Sequence, residues 1–288
     1  MNPSTQPPKF SILIATYNAA EPLQRCLDSI ARQKAGLYEV LIADGGSTDG
    51  THAIVEASDH LVAHRIFGPD GGPYDAWNKL LPHARGEWIM FLGADDQLAT
   101  PDTLRLLAER CARLPVTAPQ LAFVFGVTEF VAGDEIIERF GEQAMPGDQH
   151  DLATDFSLSH TGLLHHRDLF SAFGPFSAEY AIAGDAHFML RSALDPRTRF
   201  FHAPFPVARM AAGGLSSSVA SRVACYAEVE KARRELGVKP IRPHWLAALQ
   251  FRSALAARIQ TVLGKKALLL AANLYRTLSG KRARSDYR

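Results

Sequence analysis

Cysteine is scarce in this 288-residue chain: there are three, Cys26, Cys111 and Cys225, far apart and never in a CxxC pair. An odd, sparse set excludes a disulfide framework and fits a reducing compartment. Long apolar runs are absent too; no stretch reaches the roughly 18 residues that a bilayer-spanning helix needs. The opening MNPSTQPPKF has no basic segment followed by an apolar one, so it does not read as a secretory signal. The expected location is therefore the cytoplasm. Gly71-Gly72 lacks the GK[ST] ending of a P-loop. His165-His166 has no Cys or carboxylate at zinc-ligand spacing and reads as structural. Neither sign of charge dominates, with 31 Lys and Arg against 30 Asp and Glu. The balance hides an asymmetry, because residues 245–288 hold nine basic residues and one acid, Asp286. An acidic body without a recognition motif argues against nucleic acid as a partner.

What is present is an alternation of strand and helix signals. Residues 10–15 (FSILIA), 38–43 (YEVLIA) and 87–92 (EWIMFL) are short apolar runs of the kind that make strands buried on both faces. Residues 60–67 form a weaker strand. Between them, residues 21–34, a short stretch ending at Ala57, and residues 74–83 have helical spacing, and residues 101–113 follow as another helix. This order predicts an α/β fold with a mostly parallel sheet flanked by helices. Residues 121–140 change to shorter strands around Gly133-Asp134, an antiparallel extension. Helices are expected at 184–194 and 216–236, and basic amphipathic helices from 245 onward, with a break near Gly264.

Ligands of open parallel sheets bind beyond the carboxyl ends of the strands. Three polar clusters fall there: Thr16-Tyr17-Asn18, Asp44 through Asp49, and Asp95-Asp96. Asp49 reads best as a turn and cap residue. Asp44 reads better as a ligand group, because the pattern recurs at three strand ends. Asp95-Asp96 suits a hard divalent cation, Mg²⁺ or Mn²⁺, completed by substrate phosphates; the alternative is that Asp96 or Thr100 caps the next helix. His160 has two readings, a contact to diphosphate or acceptor and a satisfied histidine at a strand start. Tyr74 and Trp77 have the spacing of core residues or of a stacking platform, and Trp77 fits the core better.

Taken in order, FSILIATYNAAEPLQRCLDSIARQ, LIADGGSTDGT and GGPYDAWNKLLPHARGEWIMFLGADD resemble family 2 of the glycosyltransferases, which have the GT-A fold. The last segment is most similar to a bacterial subgroup that builds exopolysaccharides and capsules. The resemblance covers residues 9–191. It implies a GT-A domain over residues 1–215 with a helical extension over residues 216–288. It implies an inverting, metal-dependent transfer from a UDP-, GDP- or dTDP-linked sugar to a saccharide or lipid-linked saccharide. Thr16 and Asp44 would line the base pocket, with Tyr17, Asn18, Gly46 and Ser47 beside them. Asp95 would approach the ribose and Asp96 would bind the metal. Asp75, Asn78, His160 and Arg191 would lie on the donor side, and Asp185 would be the general base. The chain departs from the family pattern at Gly45, Gly93 and Gly184, where carboxylates are usual. Those departures motivate one alternative, a degenerate nucleotide-sugar-binding scaffold; a nucleotidyltransferase is a further one, disfavoured by the absence of a basic Gly-rich loop after the first strand. The QxxRW motif of processive synthases is absent, which points to single addition. The basic tail fits either a solvated helical pair or a peripheral anchor on an anionic membrane.

Overall fold

The structure, a computed structural model, describes residues 7–115, 118–133, 135–142, 159–212 and 219–240. Strand β1 (Phe10–Thr16) is followed by α1 (Ala20–Ala31), β2 (Tyr38–Asp44), α2 (Thr51–Ala57), β3 (Val62–Phe67), α3 (Pro73–Leu80) and β4 (Trp88–Gly93). β1 pairs in parallel with β2 and β4, and β2 with β3. The two-residue period of a strand explains why these runs are apolar throughout. Phe10, Ile12 and Ile14 enter one core with Trp88, Met90 and Leu92, while Leu13 enters the other with Leu41, Ile89 and Phe91. Leu23, Leu27 and Ile30 of α1 close the first core; Tyr74, Trp77 and Leu80 of α3 close the second.

The chain continues through β5 (Gln97–Leu98), α4 (Thr103–Cys111), β6 (Ala122–Ala132), β7 (Glu135–Phe140), β8 (Leu164–His166), α5 (Asp168–Phe173), α6 (Gly184–Ala193), β9 (Arg199–Ala211) and α7 (Val219–Glu235). The sheet order is β3-β2-β1-β4-β8-β6-β9-β5, with β7 on β6. The sheet is continuously parallel across its first four strands. Beyond β4, β8 runs antiparallel to both β4 and β6, β7 to β6 and β5 to β9, while β6 and β9 are parallel. The hairpin expected around Gly133 is present as β6–β7. β8, α5 and β9 have no counterpart in the sequence reading.

The chain divides into two compact units, Met1–Gly214 and Leu215–Arg288. Of the second unit, α7 lies where a helix is expected, and the basic helices expected from residue 245 fall outside the described residues. Among the described residues no helix is long and apolar enough to cross a membrane.

Candidate active site at the carboxyl edge of the sheet

Strands β1, β2 and β4 end level with one another. Thr16 pairs with Asp44, and Ala15 pairs with both Ala43 and Gly93. All three polar clusters therefore share one edge. Asp44, 2% exposed, organises the second cluster. Its Oδ1 accepts the amides of Gly46 (3.1 Å) and Ser47 (2.8 Å), and its Oδ2 accepts the Ser47 hydroxyl at 2.6 Å. Ser47 Oγ in turn accepts the amide of Asn18 at 2.7 Å, and Asn18 Oδ1 accepts the amide of Thr48 at 2.8 Å. Asn18 reaches this geometry with a left-handed φ of 47°, which asparagine tolerates. The β1–α1 and β2–α2 loops are thus held together by their polar groups. Beside them the Tyr17 ring is 64% exposed, and the buried Thr16 Oγ1 has no hydrogen-bond partner among the described residues. Asp49 has the turn role expected of it. Its carboxylate accepts the amides of Thr51 (2.9 Å) and Ala20 (3.2 Å), and the bonds from Thr51 hold it below its usual range.

Asp96 is 6% exposed and accepts the Gly93 amide at 3.0 Å and the Thr161 hydroxyl at 3.3 Å. Burial, then the neighbouring Asp95 charge, push its carboxyl up to about 7. It does not cap α4, whose Leu104 amide is accepted by Gln33 Oε1 at 3.1 Å instead. Asp95 is half-exposed and hydrogen-bonds to nothing among the described residues. Two carboxylates, one buried and neither ion-paired among the described residues, fit a hard cation that takes the rest of its shell from phosphate and water. Among the described residues no cluster of three or more His, Cys, Asp or Glu could hold a metal ion without that help.

α3 and α6 supply the other expected residues. Asp185 is in the first turn of α6, where the helix dipole favours a carboxylate. Its Oδ1 lies 2.9 Å from the Tyr74 hydroxyl and accepts the Ala186 amide at 2.8 Å. His160 packs against Phe91 and Trp77, with ring centroids 5.4 Å away in each case. Burial lowers its pKa, the Asp185 charge opposes that shift, and its Nε2 has no partner among the described residues.

Three expected donor-side residues are held by other partners. Asp75 accepts the Gly71 amide at 2.9 Å and pairs with Lys79 at 3.0 Å. Asn78 clamps both backbone groups of Phe176, at 2.9 and 3.0 Å. Arg191 donates to the Pro175 carbonyl at 3.1 Å and its guanidinium carbon lies over the Phe188 ring. These contacts give Asn78 and Arg191 structural tasks. Trp77 is in the core, as expected, and His165 is fully buried there.

The three glycine departures mark close approaches. A Cβ on Gly45 would lie 2.9 Å from Asp70 Oδ2, and one on Gly93 would lie 2.8 Å from Asp95 Oδ1. A Cβ on Gly184 would lie 2.9 to 3.0 Å from three ring carbons of Tyr74. Each missing side chain leaves room for a carboxylate or phenol at the same edge. Asp70 was missed by the sequence reading, although it follows β3 as Asp44 ends β2 and Asp95 follows β4.

Comparison with known proteins identifies the family and the fold. Residues 11–165 match the family described as Glycosyl transferase family 2. The chain is 34% identical over 228 residues to a PGL/p-HBAD biosynthesis glycosyltransferase of Mycobacterium bovis, covering 75% of this chain and 82% of that one. Its fold is similar to that of S. aureus TarS 1-349 in complex with UDP-GlcNAc (TM-score 0.64, 19% identity, 93% of this chain and 77% of that one). It is also similar to mannosyltransferase PcManGT from Pyrobaculum calidifontis in complex with GDP-Man and Mn²⁺ (TM-score 0.59, 21% identity, 96% and 81%). At these identities the two structures establish the GT-A fold.

Proposed function

The chain belongs to glycosyltransferase family 2, and on that premise we propose that it is an inverting, single-addition enzyme. It moves a sugar from a nucleotide-diphosphate donor to a saccharide or lipid-linked saccharide hydroxyl during bacterial surface glycan assembly. The observation that carries the reading is the buried Asp96 beside Asp95, which has no partner among the described residues, level with the Asp44 loop at the ends of parallel strands. Exposed Tyr17 and the Thr16 hydroxyl, which has no partner among the described residues, offer a stacking face and a hydrogen bond to the base, next to the loop that Asp44, Gly46, Ser47 and Asn18 hold rigid.

Asp96, with Asp95 beside it, is the residue that would hold a divalent cation, which when bound offsets charge on the leaving diphosphate. Asp185 takes the proton of the acceptor hydroxyl as that oxygen attacks the anomeric carbon from the face opposite the diphosphate. The bond to the diphosphate breaks as the new one forms, and its electron pair leaves with the diphosphate. The donors named with TarS and PcManGT, UDP-GlcNAc and GDP-Man, support a nucleotide-sugar partner without choosing between bases.

Asp185→Asn tests the assignment. It should abolish transfer, since Asn cannot accept the proton, and leave donor affinity within about twofold, because the donor's contacts are elsewhere. Substantial transfer by this variant would move the base to another residue.

A further inference from the structure

We propose that Tyr74 is the positioning residue of Asp185, and that Gly184 is present to admit it. This rests on the reading of Asp185 as the base. Tyr74 is 6% exposed, in the first turn of α3, with its ring 5.6 Å from Trp77 and 5.5 Å from Phe176. The ring lies where a side chain at position 184 would project, and its aromatic neighbours leave it little room to swing aside. From there its single O–H proton is shared between two acceptors, the Ile182 carbonyl at 2.6 Å and Asp185 Oδ1 at 2.9 Å. One phenol therefore touches residues 182, 184 and 185, the turn that carries the base.

The consequence is an asymmetry between the two carboxylate oxygens. Oδ1 is engaged by the Tyr74 hydroxyl and the Ala186 amide. Oδ2 accepts nothing among the described residues, so it is the oxygen left to receive the acceptor's proton. Tyr74 keeps its own proton throughout. It acts by fixing the carboxylate's rotamer. A side chain at 184 and the phenol at 74 would compete for one volume.

Tyr74→Phe keeps the ring over Gly184 and removes only the hydroxyl. The readout is nucleoside diphosphate released from UDP-N-acetylglucosamine and GDP-mannose with Mn²⁺, alongside the melting temperature. Loss of a hydrogen bond to a charged group predicts a kcat about ten- to a hundredfold lower. The donor KM should stay within about twofold. Gly184→Ala, which displaces the ring instead, should lower kcat in the same direction. Tyr74→Phe with wild-type kcat overturns the proposal. So does a loss confined to KM or to melting temperature, which would mark a packing role. Asp185→Asn measured beside it separates the two claims: if that variant is active, the base reading fails. If it is inactive while Tyr74→Phe behaves as wild type, only the positioning role fails. A wild-type chain that releases nucleotide from neither donor removes both.

Discussion

Asp96 is a carboxylate whose burial beside Asp95 pushes it up to about 7, from 3.8 when free. Its sign follows from linkage. The folded protein holds this proton more tightly than the unfolded chain, so the metal-free fold is favoured below about pH 4. That advantage is lost as pH rises toward 7. A neutral Asp96→Asn should therefore match wild-type stability near pH 4 and exceed it at pH 8, by up to a few kcal/mol. Denaturation curves at the two pH values check this, and a difference that stays constant with pH would remove the buried-charge account. Mn²⁺ should reverse the order at pH 8, since it compensates only the ionised wild-type pair. At this scale the sequence was partly legible. Asp44, Asp95 and Asp96 were visible because a polar residue interrupts an apolar run at a strand end. The tasks of Asn78 and Arg191 were not, because their partners, Phe176 and Pro175, are 98 and 16 residues away in sequence. Tyr74 was ambiguous for a related reason: helical spacing reports that a ring is buried and says nothing of where its hydroxyl ends.

The elements that position the site were legible where both faces of a strand are buried. β1, β2 and β4 are continuous apolar runs, and they emerge within a residue or two of the expected bounds. β9 was hidden because Pro204 and Pro206 interrupt it, and proline in a run argues against a strand. The sheet accommodates both prolines at a register shift, where Phe125 pairs with His202 and Val127 with Pro206. β8, only three residues long, is too short for periodicity to reveal. Backbone crossings are equally silent in sequence. Gly86, just before β4, donates its amide to Ser11 Oγ at 2.8 Å, and a Cβ there would lie 2.5 Å from Ser11 N and 2.7 Å from the Phe10 carbonyl carbon. Those atoms are backbone of a central strand and cannot move aside. Gly86→Ala should cost about 1–3 kcal/mol, seen as a lower melting temperature, and an unchanged melting temperature would show that β1 and β4 can separate locally.

At the scale of the whole molecule, the GT-A core and the basic segment raise different questions. The nine basic residues between 245 and 288 predict that the full chain sediments with phosphatidylglycerol vesicles at low salt and is released at high salt. Vesicle binding indifferent to salt, or none, would leave the segment as a solvated face. In the other unit, we propose, the strand-end carboxylates form a metal-assisted nucleotide-sugar site. Its most direct test is a thermal-shift series with UDP-, GDP- and dTDP-sugars, each with and without Mn²⁺, on wild type and Asp96→Ala. A ligand that binds only the folded state raises the melting temperature. The account predicts a shift with one nucleotide class that requires Mn²⁺ and is lost in Asp96→Ala; no shift with any donor, or one that Asp96→Ala leaves intact, would contradict it.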